Sequence, residues 1–320
     1  MAKVKSMNNR NLIGTLGGAV YYMRAGENVA REKAAFVTNP RSTSQMNQRV
    51  RLANLVNFYR ANRAWMFRGA FENKPAKLSD YNAFVSRNIQ TSDIALTKAE
   101  ANAGAVIADT YQVTDGSLPM ANVSASGRTA LLSTPGALAE DGNGALDFVT
   151  NIYNTYPGIQ PGDQLSFIVL LNKRDGSGIP RLAVRAFEMT LIPLSANTEA
   201  ENAAELFANN DGNVTILAAN GGYSFGYTAP TDTALAYAIC FSRTTQSGIK
   251  VSPSFVVLTD DTFKDGYSSA EQFQKAIDSY GESVANFLDS GSVTAGDSNT
   301  PSGDDDQGGS GAGDPGDVTP

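Results

Sequence analysis

Histidine is absent from this chain of 320 residues, and cysteine occurs once, at Cys240. Histidine is the side chain that titrates near neutral pH, and histidine and cysteine supply most zinc ligands in proteins. Any reaction would have to depend on carboxylates, lysine, tyrosine or hydroxyl groups. Carboxylate pairs can cleave glycosides and carboxylates can hold magnesium, so the absence disfavours an enzyme without excluding one. We predict a non-enzymatic protein with no catalytic residues, no cofactor and no metal site.

Long apolar runs are missing as well. No stretch of about 18 apolar residues occurs, and the first ten residues lack the apolar segment of a signal peptide. We therefore expect a protein that is made in the cytoplasm and has no membrane partner. A lone thiol cannot form an internal disulfide, and Cys240 lies in an apolar run over residues 234–241. It is predicted to be a small buried hydrophobic residue and not a reactive thiol.

Charge is distributed unevenly along the chain. Residues 1–90 hold 15 Lys and Arg against 4 Asp and Glu, a balance of +11, whereas residues 91–320 hold 10 against 28, a balance of −18. A basic end can contact nucleic acid or the acidic surface of a neighbouring subunit. We favour the subunit contact, because the basic residues are spread out and accompany no recognised nucleic-acid motif.

Residues 1–37 are interpreted as an extended basic arm containing a short β-hairpin. The apolar residues 20–23 follow a group of glycines, and residues 25–28 have the composition of a turn before a second extended piece. The spacing Gly14-x-x-Gly17-Gly18 is a weak match to a phosphate loop, since no strand precedes it and no Gly-Lys-Ser/Thr follows. The residues predicted to make assembly contacts are Gly17, Gly18, Tyr21, Tyr22, Arg24, Arg31, Pro40 and Arg41.

Residues 38–104 are predicted to form a small helical unit. A helix should begin near residues 38–44 and present an apolar stripe of Val50, Leu52, Leu55, Val56 and Tyr59. Two more helical pieces are expected, over residues 64–67 and 78–87, with Trp65, Phe67, Phe71, Tyr81 and Phe84 as packing residues. We interpret the arginines around the stripe as solvated side chains. The alternative is DNA contact through Arg41, Arg49, Arg51, Arg60 and Arg63.

Residues 105–266 are predicted to form a β-rich, sandwich-like domain with one inserted helix. Apolar strands are expected over residues 164–171, 181–192, 213–219, 235–243 and 250–258, because Gly, Pro, Asn and Asp clusters separate them. Residues 167–171 are apolar throughout and should lie in the middle of a sheet. The inserted helix is expected over residues 145–156, with Leu146, Val149, Ile152 and Tyr153 on its apolar face and Pro157-Gly158 as its end.

Several loop carboxylates of this domain could be imagined as a metal cluster. Asp141, Asp147, Asp163 and Asp175 do not have the spacing of a calcium loop, and Asp260-Asp261 is no more convincing. Acidic residues in polar loops are usually solvated turn formers. We interpret them in that way.

The last part of the chain divides into a helix and an acidic tail. Residues 267–288 are predicted to be helical, with Ser268 and Glu271 as a capping box and Phe273, Ile277 and Tyr280 as the apolar face. Residues 289–320 contain seven Asp and no Lys or Arg among Gly, Ser, Thr and Pro. Such a composition cannot bury enough apolar surface to fold, so a disordered tail is expected. Its role is either to keep the chain soluble or to dock on a neighbour's basic end.

Three motifs carry a resemblance to a known group of proteins. They are Gly-Gly-x-Val-Tyr-Tyr-x-x-x-Gly over residues 17–26, Asn-Pro-Arg-Ser-Thr-Ser-Gln over residues 39–45, and Tyr-Asn-Ala-Phe over residues 81–84. Looser matches continue to about residue 258, and the tail is outside the pattern. The chain resembles a poorly characterised protein group of Bacteroidota and their phages and prophages, some of which look like virion proteins of crAss-like phages. The resemblance implies a structural part of a phage particle, without catalytic residues.

The expected fold class is α+β: an arm, a helical unit, a β-rich body, a C-terminal helix and an acidic tail. The expected function is that of a structural protein of a bacteriophage virion. It would assemble with itself and with other virion proteins into a ring or shell near the portal or tail, through the arm. The alternatives are a DNA-associated protein, packaged or lining the genome path, and a capsid auxiliary protein. A carboxylate-based hydrolase of surface glycans is a third class, supported only by unplaced Asp and Glu residues.

Overall fold

Two separate units make up the computed structural model, which describes residues 2–3, 13–24, 27–34, 42–66, 69–135, 144–192, 202–246 and 248–289. The first unit contains the described part of residues 1–42 together with Pro75–Leu78. The second unit contains residues 43–74 and the described residues from Ser79 onward. The predicted helical unit and β-rich domain therefore belong to one body. The predicted tail beyond Asp289 lies outside the described residues.

The first unit is a small antiparallel sheet of four strands. The strands are β1 (Ala2–Lys3), β2 (Gly14–Leu16), β3 (Ala19–Arg24) and β4 (Glu27–Glu32). Their order across the sheet is β1-β4-β3-β2. The expected hairpin is present as β3 and β4. The rest of the predicted extended arm is different, because β1 and β2 add a strand to each side of that hairpin.

Five helices occur in the described part of the body. They are α1 (Thr43–Met66), α2 (Asp80–Asn88), α3 (Lys98–Asn102), α4 (Ala145–Thr155) and α5 (Ala270–Asp289). Helix α2 begins after Ser79, whose hydroxyl accepts a hydrogen bond from the amide of Asn82. Such a cap satisfies an amide that has no partner within the helix. Residues 64–66 were predicted to start a separate helix but continue α1, since nothing in residues 60–66 interrupts it.

The described part of the body also contains three sheets. The remaining strands are β5 (Gln112–Thr114), β6 (Val123–Ser126), β7 (Thr129–Ser133), β8 (Gln164–Arg174), β9 (Pro180–Thr190), β10 (Val214–Ala219), β11 (Gly222–Tyr227), β12 (Thr233–Thr245), β13 (Gly248–Val251), β14 (Ser254–Phe255) and β15 (Val257–Leu258). A five-stranded sheet has the order β13-β12-β8-β9, with β15 also paired to β12. A four-stranded sheet has the order β10-β11-β7-β6, and β14 pairs with β5. All pairings between these strands are antiparallel.

The two larger sheets and α4 enclose one hydrophobic core. The ring of Phe167 on β8 lies 5.2 Å from that of Phe225 on β11, and Phe148 on α4 lies 4.8 Å from Tyr223. Aromatic rings at these distances contribute packing energy beyond their buried area. The sandwich-like body of an α+β protein is thus confirmed, with the inserted helix forming part of the same core.

The five-stranded sheet is buried on its second face too. Successive residues of a strand point to opposite faces, and nearly every residue from Leu165 to Leu170 and from Thr233 to Phe241 is buried. The prediction that residues 167–171 lie in the middle of a sheet is confirmed. Helix α1 and the irregular segment of residues 103–111 cover this second face near β8 and β9.

Three buried asparagines hold that irregular segment in place. The side chain of Asn54 accepts from the amide of Ile107 and donates to its carbonyl, both at 2.9 Å. Asn88 makes the same pair of bonds with Gln112, and Asn172 bonds Val106 and Ala108. Buried backbone groups outside a ladder need such partners. These side-chain amides therefore provide hydrogen-bond partners for the backbone of residues 106–112, as a neighbouring strand would.

Helix α5 joins α1 and α3 on the same side of the body. Its apolar residues Phe273, Ile277 and Tyr280 pack around Val50 of α1, as predicted for that face. The hydroxyl that caps α5 belongs to Ser269, which accepts from the amide of Gln272, and not to Ser268. The predicted capping box of Ser268 and Glu271 is wrong because the cap lies one residue later, and the residue three positions after it, Gln272, donates its side chain to the carbonyl of Ala95.

Two further predictions are corrected. Residues 250–258 do not form one strand, because Pro253 has no amide hydrogen to donate and the chain continues as the short strands β14 and β15. On α4, Leu146 is exposed and Phe148 takes the buried position next to Val149 and Ile152.

Candidate assembly surfaces

Gly17 and Gly18 form the tight turn of a hairpin. Leu16 pairs with Ala19, which leaves two residues in the loop, and Gly17 has a φ of 59°. A positive φ at the first loop position favours glycine because it has no Cβ. The carbonyl of Gly18 accepts from the amide of Lys33 at 2.7 Å. The prediction of an extended arm is therefore wrong at these two glycines, because the chain reverses direction there. They do not form a phosphate loop.

The two predicted contact tyrosines point to opposite faces of the N-terminal sheet. Tyr21 is opposite Ala30 and Tyr22 is opposite Val29, and adjacent residues of a strand face opposite sides. By the same alternation, Arg24 and Arg31 lie on the face of Tyr22. One flat contact can use Tyr22, Arg24 and Arg31 together, but not Tyr21 as well. Pro40 and Arg41 lie outside the described residues.

The N-terminal sheet has little core of its own. Among its side chains that the structure describes, Val29 is the only buried apolar one, and Ile13 is 72% exposed. Val20 and both tyrosines are only partly buried. A small sheet gains independent stability from an apolar face that is covered. This unit therefore has partly exposed aromatic and apolar surface that another protein chain could cover.

The arginines of α1 divide into two groups. At 100° per residue, Arg49, Arg60 and Arg63 fall within about 60° of one another, whereas Arg51 lies on the opposite side. Arg51 donates to the carbonyl of Gln90 at 3.1 Å and lies over the ring of Phe273. Arg49 and Arg60 are exposed and Arg63 is partly buried. The structure thus brings three of the predicted DNA-contact residues together and assigns Arg51 to packing.

Asp163 is a buried ion-pair partner and not a solvated turn residue. Its carboxylate is 2% exposed and accepts from Nε and Nη2 of Arg243 at 2.6 and 2.7 Å. It also accepts from the amide of Gln160 at 2.7 Å, while Arg243 donates to the carbonyl of Gly158. The hydrogen bond from Arg243 to Asp163 raises the pKa of the guanidinium above its usual value. A bidentate pair of this kind fixes the loop between α4 and β8.

The other loop carboxylates are dispersed. Asp175 accepts from Arg181 and from the amides of Ser177 and Ile179, and the hydrogen bond from Arg181 lowers the pKa of this carboxyl. Asp147 lies in the first turn of α4, and Asp141 is outside the described residues. Asp261 pairs with Arg128. No group of three or more metal-ligating side chains was found in the part of the chain that the structure describes.

Lys264 forms a second ion pair with a buried carboxylate. Its Nζ lies 2.7 Å from Oδ1 of Asp109, which is 1% exposed, and 3.7 Å from Asp93. Burial alone lowers the pKa of this lysine, but the hydrogen bond and charge of Asp109 outweigh it and the pKa is raised. Lys264 therefore stays charged and neutralises Asp109. No sequence pattern indicated this pair, because its members are 155 residues apart.

Cys240 is buried on β12, as predicted. Burial raises the pKa of its thiol to about 12. Since the thiolate is the reactive form, this cysteine is inert at neutral pH in the folded chain.

Among the residues that the structure describes, those on the outer face of the four-stranded sheet carry no charge. Its middle row runs across all four strands as Leu217, Ser224, Leu131 and Ser124. The flanking rows are Ala219, Gly222 and Ser133 on one side, and Thr215, Gly226, Thr129 and Ser126 on the other. We call these eleven residues the uncharged face. Leu217 is 48% exposed and Leu131 is partly buried, so the face is open to solvent.

Sequence reasoning missed the uncharged face because it missed three of its four strands. Strands β6, β7 and β11 are short and rich in Ser, Gly and Ala, which have weak β-propensity. The signal that could have found them is the turn chemistry. Asn220-Gly221 is a typical two-residue hairpin turn, and Gly221 has a φ of 81°.

Comparison with known families finds similarity over part of the chain. A family of proteins of unknown function, DUF6266, matches residues 8–145, which is less than half of the sequence. The matched stretch runs from the N-terminal sheet through α1, α2 and α3 to the start of α4. Neither the curated proteins nor the solved structures gave a match. Among the described helices, none is long and apolar enough to cross a bilayer.

Proposed function

We propose that the chain is a non-enzymatic structural protein of a bacteriophage virion, which assembles with copies of itself into a ring or shell near the portal or tail. The observation that carries the proposal is the N-terminal sheet. It forms a unit separate from the body, with one buried apolar side chain among those described. Association with a neighbouring subunit would cover its remaining apolar and aromatic surface.

The charges of the described residues support this role over catalysis. The carboxylates of Asp163, Asp175 and Asp261 are each engaged by an arginine, and Asp109 is engaged by a lysine. Carboxylates held in this way stabilise loops and strand ends. The basic N-terminal part and the acidic remainder of the chain provide opposite charges for contact between copies.

Deletion of residues 1–35 tests the proposal. We expect the purified wild-type chain to form a discrete oligomer by light scattering behind a sizing column, with closed rings or shells in electron micrographs. The deleted chain should be monomeric and keep the circular dichroism of the folded body. An unchanged mass after the deletion would show that the arm does not drive assembly.

Two point variants locate the contact on the arm. Tyr22→Ser and Tyr21→Ser change the same side chain on opposite faces of the N-terminal sheet. If the face with Arg24 and Arg31 is the contact, Tyr22→Ser weakens assembly and Tyr21→Ser does not. Full assembly by both variants would contradict a contact centred on either tyrosine.

A second function, association with DNA, is favoured by one feature of α1. The helix contains four arginines and no acidic residue, and three of the arginines share a face. Phosphate contacts lose affinity as salt rises, so DNA binding should weaken steeply between low and moderate salt. Arg49→Gln and Arg60→Gln should each reduce the salt slope by about 1, whereas Lys173→Gln on β8 should not. The full chain is the material to use, because α1 packs within the body. DNA affinity that is equal in all variants would exclude this face.

A further inference from the structure

The uncharged face is unusual for a sheet surface that is open to solvent. The exposed face of an antiparallel sheet normally carries polar and charged side chains, because water solvates them and they prevent association. Here eleven positions over four strands hold only Ser, Thr, Gly, Ala and Leu, in a chain of which 18% is charged. Charge is therefore missing where an isolated protein would be expected to have it.

The flanking rows of the uncharged face each contain a glycine. Gly222 and Gly226 lie on β11, an inner strand of the sheet. A Cβ at Gly222 would collide with the carbonyl oxygen of Leu132, and one at Gly226 would lie 2.7 Å from Oγ1 of Thr215. Both glycines are buried by their neighbours, so this part of the face is formed by small side chains such as Thr215 and Thr129 and has no large side chain.

Two of the hydroxyl groups of this face make hydrogen bonds within it. The Ser224 hydroxyl bonds Oγ1 of Thr129 at 3.0 Å, and Thr129 donates to the carbonyl of Ser126 at 2.9 Å. Burying a hydroxyl costs free energy mainly when it loses its hydrogen bonds to water without replacement. These groups can be covered without that loss, and Leu217 and Leu131 gain by being covered.

We propose that the uncharged face binds the same face of a second copy of this chain, sheet against sheet. In a two-fold contact the residues close to the axis meet their own equivalents in the other copy, so every charge near the axis would face a like charge. A surface without charges avoids that repulsion, and this matters for a chain of net charge −7. A nucleic acid, by contrast, would require cationic side chains, which this face does not have.

The uncharged face is small compared with a stable protein interface. Four strands about 4.8 Å apart and about five residues long, at about 3.3 Å per residue, cover about 300 Å². A stable interface buries about 800 Å² on each partner. The contact is therefore one of several in an assembly, and the inference rests on the proposed self-assembly through the N-terminal sheet.

Cross-linking tests the contact directly. Ser224→Cys and Leu217→Cys place single thiols on the face, and the one native cysteine, Cys240, is 3% exposed. With a short bis-maleimide, both variants should give covalent dimers of the full chain. Ala183→Cys, exposed on β9 of the other sheet, is the matched control. Dimer yields no higher than that of the control would overturn the proposal.

A charge at the same place provides the second measurement. Leu217→Lys should weaken self-association about tenfold or more, because it sets like charges opposite each other. Ala183→Lys should leave it unchanged. Sedimentation up to about 300 μM covers the range of transient contacts, and circular dichroism confirms that each variant is folded.

The deletion of residues 1–35 and the Leu217→Lys variant together distinguish the proposed contact of the uncharged face from the proposed contact of the arm. If the deletion of residues 1–35 abolishes assembly while Leu217→Lys leaves it intact, the face is not a contact and the proposed function stands. If Leu217→Lys weakens assembly and the deletion does not, the face is the contact and the arm is not. A wild-type chain that stays monomeric over the whole range overturns both.

Discussion

The five-stranded and four-stranded sheets of the body share one core, but their other faces have opposite environments. The central strands β8 and β12 are buried on both faces, whereas the outward side chains of β6, β7, β10 and β11 are exposed or partly buried and only the outward glycines of β11 are buried. Burial on both faces requires nearly continuous apolar sequence, and burial on one face requires alternation. The second sheet alternates between apolar and small uncharged residues. The difference identifies one sheet as the centre of the fold and the other as a surface available for contact.

The largest effect should come from the shared core. Phe167 lies within 5.2 to 6.3 Å of the rings of Phe225, Tyr237, Phe207 and Phe187. Phe167→Ala should lower the free energy of unfolding by about 4 kcal/mol, because it leaves a cavity between the two sheets. Leu131→Ala, on the uncharged face, is the control and should cost less than about 1 kcal/mol. Urea denaturation measures both, and equal losses would mean that the two faces are equally buried.

A smaller loss is expected where the second sheet requires glycine. Gly222→Ala would place a Cβ against the carbonyl of Leu132 and should lower the free energy of unfolding by about 3 kcal/mol. Ser224→Ala, in the neighbouring row of the same strand, removes one hydroxyl and should cost about 1 kcal/mol or less. Thermal unfolding of both variants checks the difference. A Gly222→Ala chain as stable as the wild type would show that β11 can move away from β7.

Loss of the Asp163–Arg243 pair should affect the five-stranded sheet alone. Asp163→Asn removes the charge that holds Arg243, at the ends of β8 and β12. Because Arg243 is 22% exposed and can regain water, the cost should be about 2 kcal/mol, below that of a fully buried pair. Hydrogen exchange should increase in residues 158–165 and stay constant in β10 and β11. Faster exchange in both sheets would contradict a local role for the pair.

The smallest effect concerns pH. Burial raises the pKa of Tyr237 to about 12 from its usual 10, and its hydroxyl donates to the carbonyl of Arg128 at 2.8 Å. Between pH 10 and 12 the unfolded chain loses this proton while the folded chain keeps it, so stability falls as pH rises. By pH 11 the loss from this group is about 1.4 kcal/mol. The stability advantage of wild type over Tyr237→Phe should therefore shrink between pH 9 and pH 11 in urea denaturation. A constant difference would mean that Tyr237 is not buried in the folded chain.

The different burial of the five-stranded and four-stranded sheets explains which elements could be predicted from the sequence. Strands β8 and β12 and the helices α4 and α5 were recognised because long apolar runs or helical spacing marked them. Strands β6, β7 and β11 were missed because their outward positions, apart from Leu131, hold Ser, Thr and Gly, which are typical of loops as well. The charge of α1 could be read from the sequence, but its division into Arg51 and the group of Arg49, Arg60 and Arg63 required knowing which side is buried.

The roles of the residues on the candidate surfaces also depended on the tertiary structure. The glycines and tyrosines of the arm were identified from the sequence, yet their roles depended on strand register. A shift of one residue would exchange the faces of Tyr21 and Tyr22. The uncharged face depends on contacts between distant parts of the chain, since Ser224 and Thr129, which hydrogen-bond across it, are 95 residues apart.

The sequence by itself determined that the protein is α+β, that the centre of its main sheet is apolar on both sides, and that Cys240 is buried. These properties follow from local composition and periodicity, which act over a few residues. Only the tertiary structure decided the partners of Asp163 and Asp109, the clamping of residues 106–112 by three asparagines, and the gathering of uncharged residues on one face. Each of these joins positions that are distant along the chain, and only the packed backbone brings them within contact.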